Sequence, residues 1–304
     1  MGIYATRRDS LPSPAPASIF TFMKIGTKTT EKLSRPLTGC AQELVVISGR
    51  NAVKELLSYR RKALKQIFVS QSAILPKDLA LSVEKFEHSG GRVTILSQDE
   101  LLKSFPESRQ GIVAQARSRE PLSVEDFINT ALNNHRSGQG SVILVADQVV
   151  DPANLGALFR LGEAGGISGI CITRRRSSPV TDTVRRVSMG ASEFIPHCLV
   201  DNLQQTFKLF KKNNIWVAGT SLDDTASNLY EVDVPTPLAV VVGSEHKGIR
   251  TLTANMCDIL LRVPMHGVVQ SLNVSQAASV VVFELLRRGY CGREHSSEGN
   301  DRMA

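Results

Sequence analysis

Long apolar runs are absent from this sequence. The best candidate for a membrane helix, SVILVADQVV at residues 141–150, is interrupted by Asp147, whereas a membrane-spanning helix needs roughly 18 or more apolar residues in succession. The sequence therefore excludes a transmembrane protein. Its 304 residues, with 42% hydrophobic and 21% charged side chains, are enough for one or two domains with a buried core.

Paired cysteines are also absent. The five cysteines are scattered along the chain, and no two of them form a C-x-x-C pair. An odd, scattered set argues against a disulfide framework and against a zinc ribbon, and it indicates reduced thiols in the cytoplasm. No group of His, Cys and carboxylate residues has the spacing of metal ligands, so we expect no metal site.

Two common nucleotide-binding motifs are missing as well. No G-x-G-x-x-G follows the first strand of the C-terminal half, which leaves a Rossmann dinucleotide site unsupported. Gly243 and Gly248 have the glycine spacing of a P-loop, but Ile249 and Arg250 stand where that loop requires Lys and then Ser or Thr. The sequence therefore excludes a P-loop ATPase.

Positive charge is concentrated in the N-terminal part. Residues 1–40 carry six Lys and Arg against two acidic residues, and residues 41–122 carry 13 against nine, whereas residues 141–304 carry 16 of each. A basic N-terminal part joined to a neutral C-terminal part favours an N-terminal domain that binds a polyanion and a C-terminal domain with a different function. A merely solubilising surface would produce the same imbalance, and charge alone does not separate the two interpretations.

Residues 1–43 are predicted to form a disordered leader. Segments such as LPSPAPAS are rich in Pro and Ser and too poor in large apolar residues to offset the entropy of ordering. An organellar targeting segment is the alternative, because the leader is basic, although Asp9 and Glu31 weigh against it. We favour the ragged N-terminus of a cytoplasmic protein, and we expect residues 291–304 to form a flexible tail.

A small α/β domain is predicted over residues 44–122. A strand, VVIS, gives way at Gly49 to a helix with apolar residues at helical spacing, and Ser97 is a good N-cap for a later helix. The other predicted strands are KQIFVS, RVTILS and QGIVAQA. Residues 123–140 contain one helical pattern and end in Gly, Ser and Gln, and we interpret them as a linker.

Residues 141–290 are predicted to form an open parallel sheet. The predicted strands are SVILVAD, GICIT, FIPHCLV, IWVAGT, LAVVVGS and DILLRVP. They are continuously apolar rather than alternating, which is typical of strands covered on both faces. Helical segments lie between them, so the pattern indicates an α/β fold.

Three segments at the predicted carboxyl ends of these strands carry the candidate functional residues. Ligands of α/β sheets bind beyond these ends. The segments are DPANLGALFR (151–160), GSEHKG (243–248) and VPMHGVVQSLNVS (263–275). Each combines glycine with polar groups, and glycine allows a backbone to approach a ligand closely.

In this order, the three segments resemble the three motifs of the SpoU/TrmH family, the RNA ribose 2′-O-methyltransferases of the SPOUT superfamily. The resemblance spans roughly residues 141–289. The preceding 44–117 segment, with SGRNAVKELL and RQGIVAQA, is similar to the substrate-binding domain found in the bacterial large-subunit rRNA guanosine methyltransferases of this family.

This resemblance implies S-adenosylmethionine as the methyl donor, bound in a C-terminal trefoil knot, a topology that composition alone does not suggest. It carries the donor-contacting role to Gly243, Val263 and Leu272, with Thr220 and Met265 as weaker candidates. Glycine at position 243 is explained by the ligand itself, because a side chain there would obstruct it.

The resemblance also places Arg160 at the position of the family's catalytic arginine. A free guanidinium has a pKa above about 12 and is a poor base, so we expect this side chain to hold a phosphate and to stabilise developing alkoxide charge. Asn154 and Asn273 are expected to fix loops or the ribose, and Glu245 to orient the arginine or bind the ribose. Ser271 either bonds the substrate or caps the last helix.

The candidates for RNA contacts are Arg50, Arg109, Arg174, Arg175 and Arg176, together with the pair Arg185 and Arg186. Arg109 stands where relatives often carry His. For the consecutive triplet, an ordinary solvated face is the alternative to phosphate binding.

The predicted function is methyl transfer from S-adenosylmethionine to a ribose 2′-hydroxyl of structured RNA, with a guanosine of large-subunit rRNA as the favoured target. The alternatives are the same reaction on tRNA and a non-catalytic RNA-binding or ribosome-assembly role. A homodimer is also expected, because the predicted helix over residues 272–288 carries apolar residues on more than one face.

Overall fold

The computed structural model describes residues 44–106, 108–223, 225–244, 248–268 and 271–291. The predicted leader, and all but the first residue of the predicted tail, lie outside these ranges.

A four-stranded sheet with helices on both faces forms the first part of the described chain. Its elements are β1 (Leu44–Ser48), α1 (Arg50–Tyr59), β2 (Leu64–Ser70), α2 (Lys77–His88), β3 (Arg92–Leu96), α3 (Gln98–Ser104) and β4 (Ile112–Arg117). The strand order is β1–β4–β2–β3; β4 is antiparallel to both of its neighbours, and β2 and β3 are parallel. The predicted small α/β architecture is confirmed, and we call residues 44–122 the front domain.

Local sequence signals explain how this sheet is covered. Helix α3 begins where the N-cap was predicted, because Ser97 Oγ accepts the Glu100 N–H at 3.2 Å while the Glu100 carboxylate accepts the Ser97 N–H at 2.9 Å. It packs Leu101 against one face of the sheet. Helices α1 and α2 bury apolar side chains such as Leu56 and Leu79 against the other face.

A seven-stranded parallel sheet forms the second part. Its elements are α4 (Val124–Arg136), β5 (Val142–Ala146), α5 (Pro152–Ala164), β6 (Gly169–Thr173), α6 (Asp182–Val187), β7 (His197–Val200), α7 (Leu203–Lys212), β8 (Trp216–Thr220), β9 (Ser227–Asn228), β10 (Leu238–Val242), α8 (Thr251–Ala254), β11 (Ile259–Arg262) and α9 (Val274–Arg287). The strand order is β7–β6–β5–β10–β8–β11–β9, and every neighbouring pair is parallel.

Burial on both faces accounts for the apolar strand sequences. Every residue of β5, β6 and β10 is buried. Along β5, Leu144 packs into a core with α5 and α9, and the neighbouring Ile143 packs into a second core with α4 and α7. The predicted parallel α/β sheet is therefore confirmed. The trefoil knot stays a prediction.

The segment predicted as a linker is packed against this sheet. Phe127, Ile128 and Ala131 of α4 are buried in the second core, and the Leu122 N–H donates to the His197 carbonyl at 2.8 Å. A Cβ at Gly169 would lie 2.5 Å from the Phe127 ring, so the helix sits directly on the strand. The sequence missed this contact because a single amphipathic helix carries no sign of the sheet it covers. We call residues 123–291 the methylase domain.

The described ranges contain no helix with both the length and the apolar character needed to cross a bilayer. They also contain no group of three or more His, Cys, Asp and Glu side chains arranged to hold a metal ion.

His197 is a buried titratable group at the start of β7. Its ring is 3% exposed and packs edge-on against Phe159, with ring centroids 5.5 Å apart. Burial, reinforced by the positive charge of Arg119, lowers the pKa of His197 to about 4 from its ordinary value of 6.5. The unfolded chain therefore binds this proton more readily than the folded chain does.

This difference predicts a pH-dependent loss of stability. Because the folded pKa is depressed, the contribution of neutral His197 is fully present above pH 6.5 and is lost as the pH falls towards 4, by about 3 kcal/mol in total. Denaturant unfolding of His197→Gln should show a flatter pH profile across this window. The exposed His88→Gln variant is the control, and an unchanged profile in His197→Gln would contradict the assignment.

Candidate active site

The predicted donor-contacting positions lie at one edge of the large sheet. Thr220 ends β8, Gly243 follows β10 and Val263 follows β11, and these three strands are adjacent and parallel. Their carboxyl ends therefore meet at the same edge. Thr220 Oγ1 donates to the Val241 carbonyl at 3.0 Å, which holds the end of β8 against β10.

Gly243 is required for a reason that the sequence did not give. A Cβ at this position would lie 2.0 Å from the Gly248 carbonyl carbon and 2.2 Å from the Ile249 nitrogen. The backbone folds back across Gly243, and two backbone hydrogen bonds between Ser244 and Gly248, of 2.9 and 3.1 Å, close the turn. The chain itself, rather than a ligand alone, excludes a side chain here.

The first and third motifs are joined by a direct hydrogen bond. Asn273 Nδ2 donates to Asn154 Oδ1 at 3.1 Å, which connects the first turn of α5 to the start of α9. Asn154 is 8% exposed. The expectation that these asparagines fix loops agrees with this contact.

Asn273, not Ser271, caps the last helix. Its Oδ1 accepts the Ser275 N–H at 2.9 Å, and its own N–H donates to Gln276 Oε1 at 3.3 Å. This removes capping as an explanation for Ser271, whose side chain is exposed in the loop before α9. Leu272 and Met265, in the same loop region, are half-buried. Glu245 lies outside the described residues.

Arg160 lies on the outer face of α5. Its side chain is exposed and forms no hydrogen bond or ion pair with the described residues. Asn154 lies six residues earlier on the same helix, a rise of about 9 Å. The inner face of α5 is held tightly against α6, because a Cβ at Gly156 would lie 2.8 Å from Val187 Cβ. The Arg160 side chain is thus free of contacts with the described residues, whereas the helix that carries it is packed tightly.

Five of the predicted RNA-binding arginines fall into two places. Arg174, Arg175 and Arg176 follow β6 at the carboxyl edge and are exposed, and the first of them pairs with Asp201 at 3.4 Å. Arg50 and Arg109 belong to the front domain. Gln110 Oε1 accepts the backbone N–H of Arg50 at 2.8 Å, which joins the start of α1 to the segment that contains Arg109.

A buried carboxylate at the same edge was missed by the sequence analysis. Asp147, 1% exposed, follows β5 and accepts from Arg250 Nη2 at 3.0 Å, Arg250 Nε at 3.2 Å and Thr253 Oγ1 at 2.9 Å. These bonds tie the end of β5 to the segment after β10. The available signal was a charged residue directly following an apolar strand.

Cys257, beside this cluster, remains a neutral thiol. Burial raises the pKa of Cys257 to about 12. Its Sγ donates to the Thr253 carbonyl at 3.3 Å, so the thiol has a structural contact.

Comparison with known proteins decides the family. The model of the SpoU rRNA Methylase family matches residues 141–283, and a model for RNA 2′-O ribose methyltransferase substrate binding matches residues 46–122. A 23S rRNA (guanosine-2′-O-)-methyltransferase of Pseudomonas aeruginosa is 35% identical over 80% of this chain and 96% of its own length. The chain belongs to the SpoU rRNA methylase family. The predicted family is therefore confirmed.

Other SpoU-type proteins extend the similarity. A 23S rRNA (guanosine-2′-O-)-methyltransferase of Haemophilus influenzae is 34% identical over 80% of this chain and 97% of its own length. Among solved structures, an AdoMet-bound rRNA methyltransferase of Sinorhizobium meliloti gives a TM-score of 0.63 at 22% identity, covering 81% of this chain and 87% of that one. The SpoU methyltransferase AviRb of Streptomyces viridochromogenes gives 0.63 at 18% identity, covering 81% and 90%. These structures share the fold.

The close approach at Gly243 generates a prediction. Gly243→Ala should lower the free energy of unfolding by about 2 kcal/mol, because the backbone of the 244–249 turn must move. It should also weaken binding of S-adenosylmethionine at least tenfold in calorimetry. Gly138→Ala is the control: its Cβ enters open space and only its backbone φ of +71° is strained. Wild-type donor affinity in Gly243→Ala would refute a role for this turn in binding.

Proposed function

We propose that this SpoU family protein transfers a methyl group from S-adenosylmethionine to the ribose 2′-hydroxyl of a guanosine in large-subunit rRNA. The observation that carries the proposal is the convergence of the three motifs at the carboxyl edge of one parallel sheet. The target follows the 23S rRNA guanosine methyltransferases, which this chain matches over nearly their whole length.

The residues at this edge fit the donor. An adenosine with a methionine chain needs apolar walls, and the loop segments after β11 and before α9 supply them. Half-buried Val263, Met265 and Leu272 provide this apolar surface. When bound, S-adenosylmethionine supplies an electrophilic methyl group.

The chain's own residues orient the nucleophile. In the transfer, the ribose 2′-oxygen would form its bond to the methyl carbon as the bond between that carbon and the donor's sulfur breaks, which releases S-adenosylhomocysteine. The hydroxyl proton would pass to solvent, so negative charge develops on the oxygen before the new bond is complete. The exposed guanidinium of Arg160 is suited to hold the neighbouring phosphate and to stabilise this charge. The Asn154–Asn273 bond keeps α5 and the loop before α9 at a fixed spacing.

The front domain supports an RNA target. It matches the substrate-binding family model over residues 46–122, and residues 41–122 carry 13 Lys and Arg against nine acidic residues. Arg50 and Arg109 both belong to it and can neutralise phosphates. An rRNA target is favoured over tRNA because the Pseudomonas aeruginosa and Haemophilus influenzae relatives, matched over nearly their full length, are named 23S rRNA methyltransferases.

The test of this function is direct. Purified protein with S-adenosylmethionine should methylate large-subunit rRNA transcribed in vitro, and mapping of ribose methylation should locate the product at one guanosine. Arg160→Ala should reduce the rate by 10²-fold or more, because the lost group stabilises charge in the transition state. Methylation of a tRNA transcript with no modification of the rRNA would overturn the proposed target.

Measuring the binding of S-adenosylmethionine distinguishes a role of Arg160 in methyl transfer from a role in holding the donor. Calorimetric affinity of Arg160→Ala for S-adenosylmethionine should stay within about threefold of wild type. Arg186→Ala, which removes an arginine of α6 outside the three motifs, controls for the loss of one positive charge. A lost donor affinity in Arg160→Ala would assign the residue to cofactor binding instead.

We also propose a homodimer formed through α9. One face of this helix packs into the sheet through Ala278, Val281 and Leu285, while Phe283 remains 48% exposed and Val280 is only half-buried. A two-fold contact through the face that carries Val280 and Phe283 would cover this exposed apolar surface.

Light scattering tests the dimer. The 33.1 kDa chain should have twice this mass in solution, and Phe283→Asp should shift it towards the monomer, because a carboxylate would be buried without a partner. Ile74→Asp, at an 85% exposed position of the front domain, is the matched control. A wild-type monomer at micromolar concentration would exclude the dimer.

A further inference from the structure

A buried ion cluster joins the front domain to the methylase domain. Its carboxylate belongs to Glu193, which lies in the 3₁₀ turn between α6 and β7 and is 1% exposed. Its cations are Arg60, Arg119 and Arg185, and we call these four residues the junction cluster. None of them belongs to the three motifs of the active site.

The front domain supplies two of the three cations. Arg60 Nη1 donates to Glu193 Oε2 at 3.0 Å and to the Glu193 carbonyl at 2.8 Å. The Arg119 N–H donates to Oε2 at 2.7 Å, and Arg119 Nη1 donates to the Phe194 carbonyl at 2.9 Å. Oε2 of Glu193 and the backbone carbonyls of Glu193 and Phe194 are thereby tied to the front domain.

The methylase domain holds the other side of the carboxylate. Arg185 of α6 donates from Nε to Glu193 Oε1 at 3.2 Å and from Nη1 to Asp182 at 3.0 Å, and it is 8% exposed. Its burial rules out the phosphate contact that a surface arginine would make. A carboxylate removed from water in this way is costly unless its partners stay in place, so the cluster favours one docking geometry.

The cluster lies one helix away from the catalytic residues. Helix α6 carries Arg185 and packs against α5 so closely that a Cβ at Gly156 would lie 2.9 Å from the Val184 carbonyl. Helix α5 in turn carries Asn154 and Arg160. The position of the front domain relative to the catalytic residues thus depends on two contacts, the one between Glu193 and the front domain and the one between α6 and α5.

Both domains also line one cleft at this junction. It has a volume of about 630 Å³, and its walls include Asn51 and Tyr59 of the front domain and Glu163 of α5. Glu163 is less than one helical turn from Arg160. An RNA held by the front domain is therefore already close to the helix that carries the catalytic arginine.

We infer that Glu193 is a positioning residue, which fixes the front domain so that bound RNA presents its ribose to the Arg160 side of α5. This inference rests on the proposed function. When the junction is loosened, both domains can still contact RNA, so RNA binding changes little. The ribose reaches its reactive position less often, so the rate of methyl transfer falls.

The test separates positioning from binding and from stability. For methylation of large-subunit rRNA transcribed in vitro, Glu193→Gln should lower kcat by 10- to 100-fold, with the KM for RNA changed less than threefold and donor affinity unchanged. Rates are expressed per donor-binding subunit, so that unfolded protein does not count. Arg60→Met, which leaves Glu193 paired with Arg185, should give the same pattern with a smaller loss of kcat.

Glu284→Gln is the matched control. Glu284 is 8% exposed and accepts from Arg287 at 2.8 Å and Arg288 at 2.7 Å, but it lies on α9, outside the junction. This variant should lower the melting temperature without changing kcat per donor-binding subunit. A normal kcat in Glu193→Gln, or a rise in KM alone, would overturn the positioning role.

Hydrogen exchange distinguishes failure of this inference from failure of the proposed function. The Arg119 amide should exchange faster in Glu193→Gln than in wild type or Glu284→Gln, because its acceptor loses its charge. A wild-type protein that methylates no rRNA would refute the proposed function. In that case, unchanged exchange at Arg119 would also refute docking by Glu193, and faster exchange would sustain it.

Discussion

Burial of the parallel sheet on both faces is the constraint on which the rest of this structure depends. A strand covered on both sides leaves little room for polar side chains within its length: β5 and β10 contain none, and β6 contains only Thr173, at its carboxyl end. Functional groups are therefore displaced to the strand ends. Because all seven strands point the same way, the ends of β5, β8, β10 and β11 meet, and motifs separated by about a hundred residues become neighbours.

Two of the buried carboxylates, Asp147 and Glu193, share one pattern. Asp147 and Glu193 are each 1% exposed, and each accepts from arginines that are distant in sequence. Such pairs are weak contributors to stability but strong determinants of geometry, since a displaced partner leaves a carboxylate buried without compensation. One pair fixes the site edge of the sheet, and the other fixes the front domain.

Local patterns made much of this fold predictable. Continuous apolar runs identified the central strands, and Ser97 identified the start of α3, because these signals depend on neighbours within a few residues. The three motifs, in their order, identified the family. The cap at Asn273 was not predicted: capping was offered for Ser271, although the asparagine directly precedes the helical pattern.

Long-range complementarity was beyond the reach of the sequence. Arg60 and Glu193 are separated by 133 residues, and Arg250 and Asp147 by 103, so no local pattern pairs them. The role of Gly243 depends on where the following turn returns, which is likewise a property of the folded backbone. The docking of α4 depends on the absence of a side chain at Gly169, because the Phe127 ring occupies that space.

The docking of α4 also limits how far the front domain can travel. With α4 fixed to the sheet, only residues 118–123 connect it to β4. Six residues span about 20 Å when fully extended. Even with the junction open, the end of β4 would stay within that distance of the start of α4, so the front domain and any RNA it holds would remain beside the methylase domain. The short tether thus maintains a high effective concentration of substrate beside α5, independently of any ionic contact.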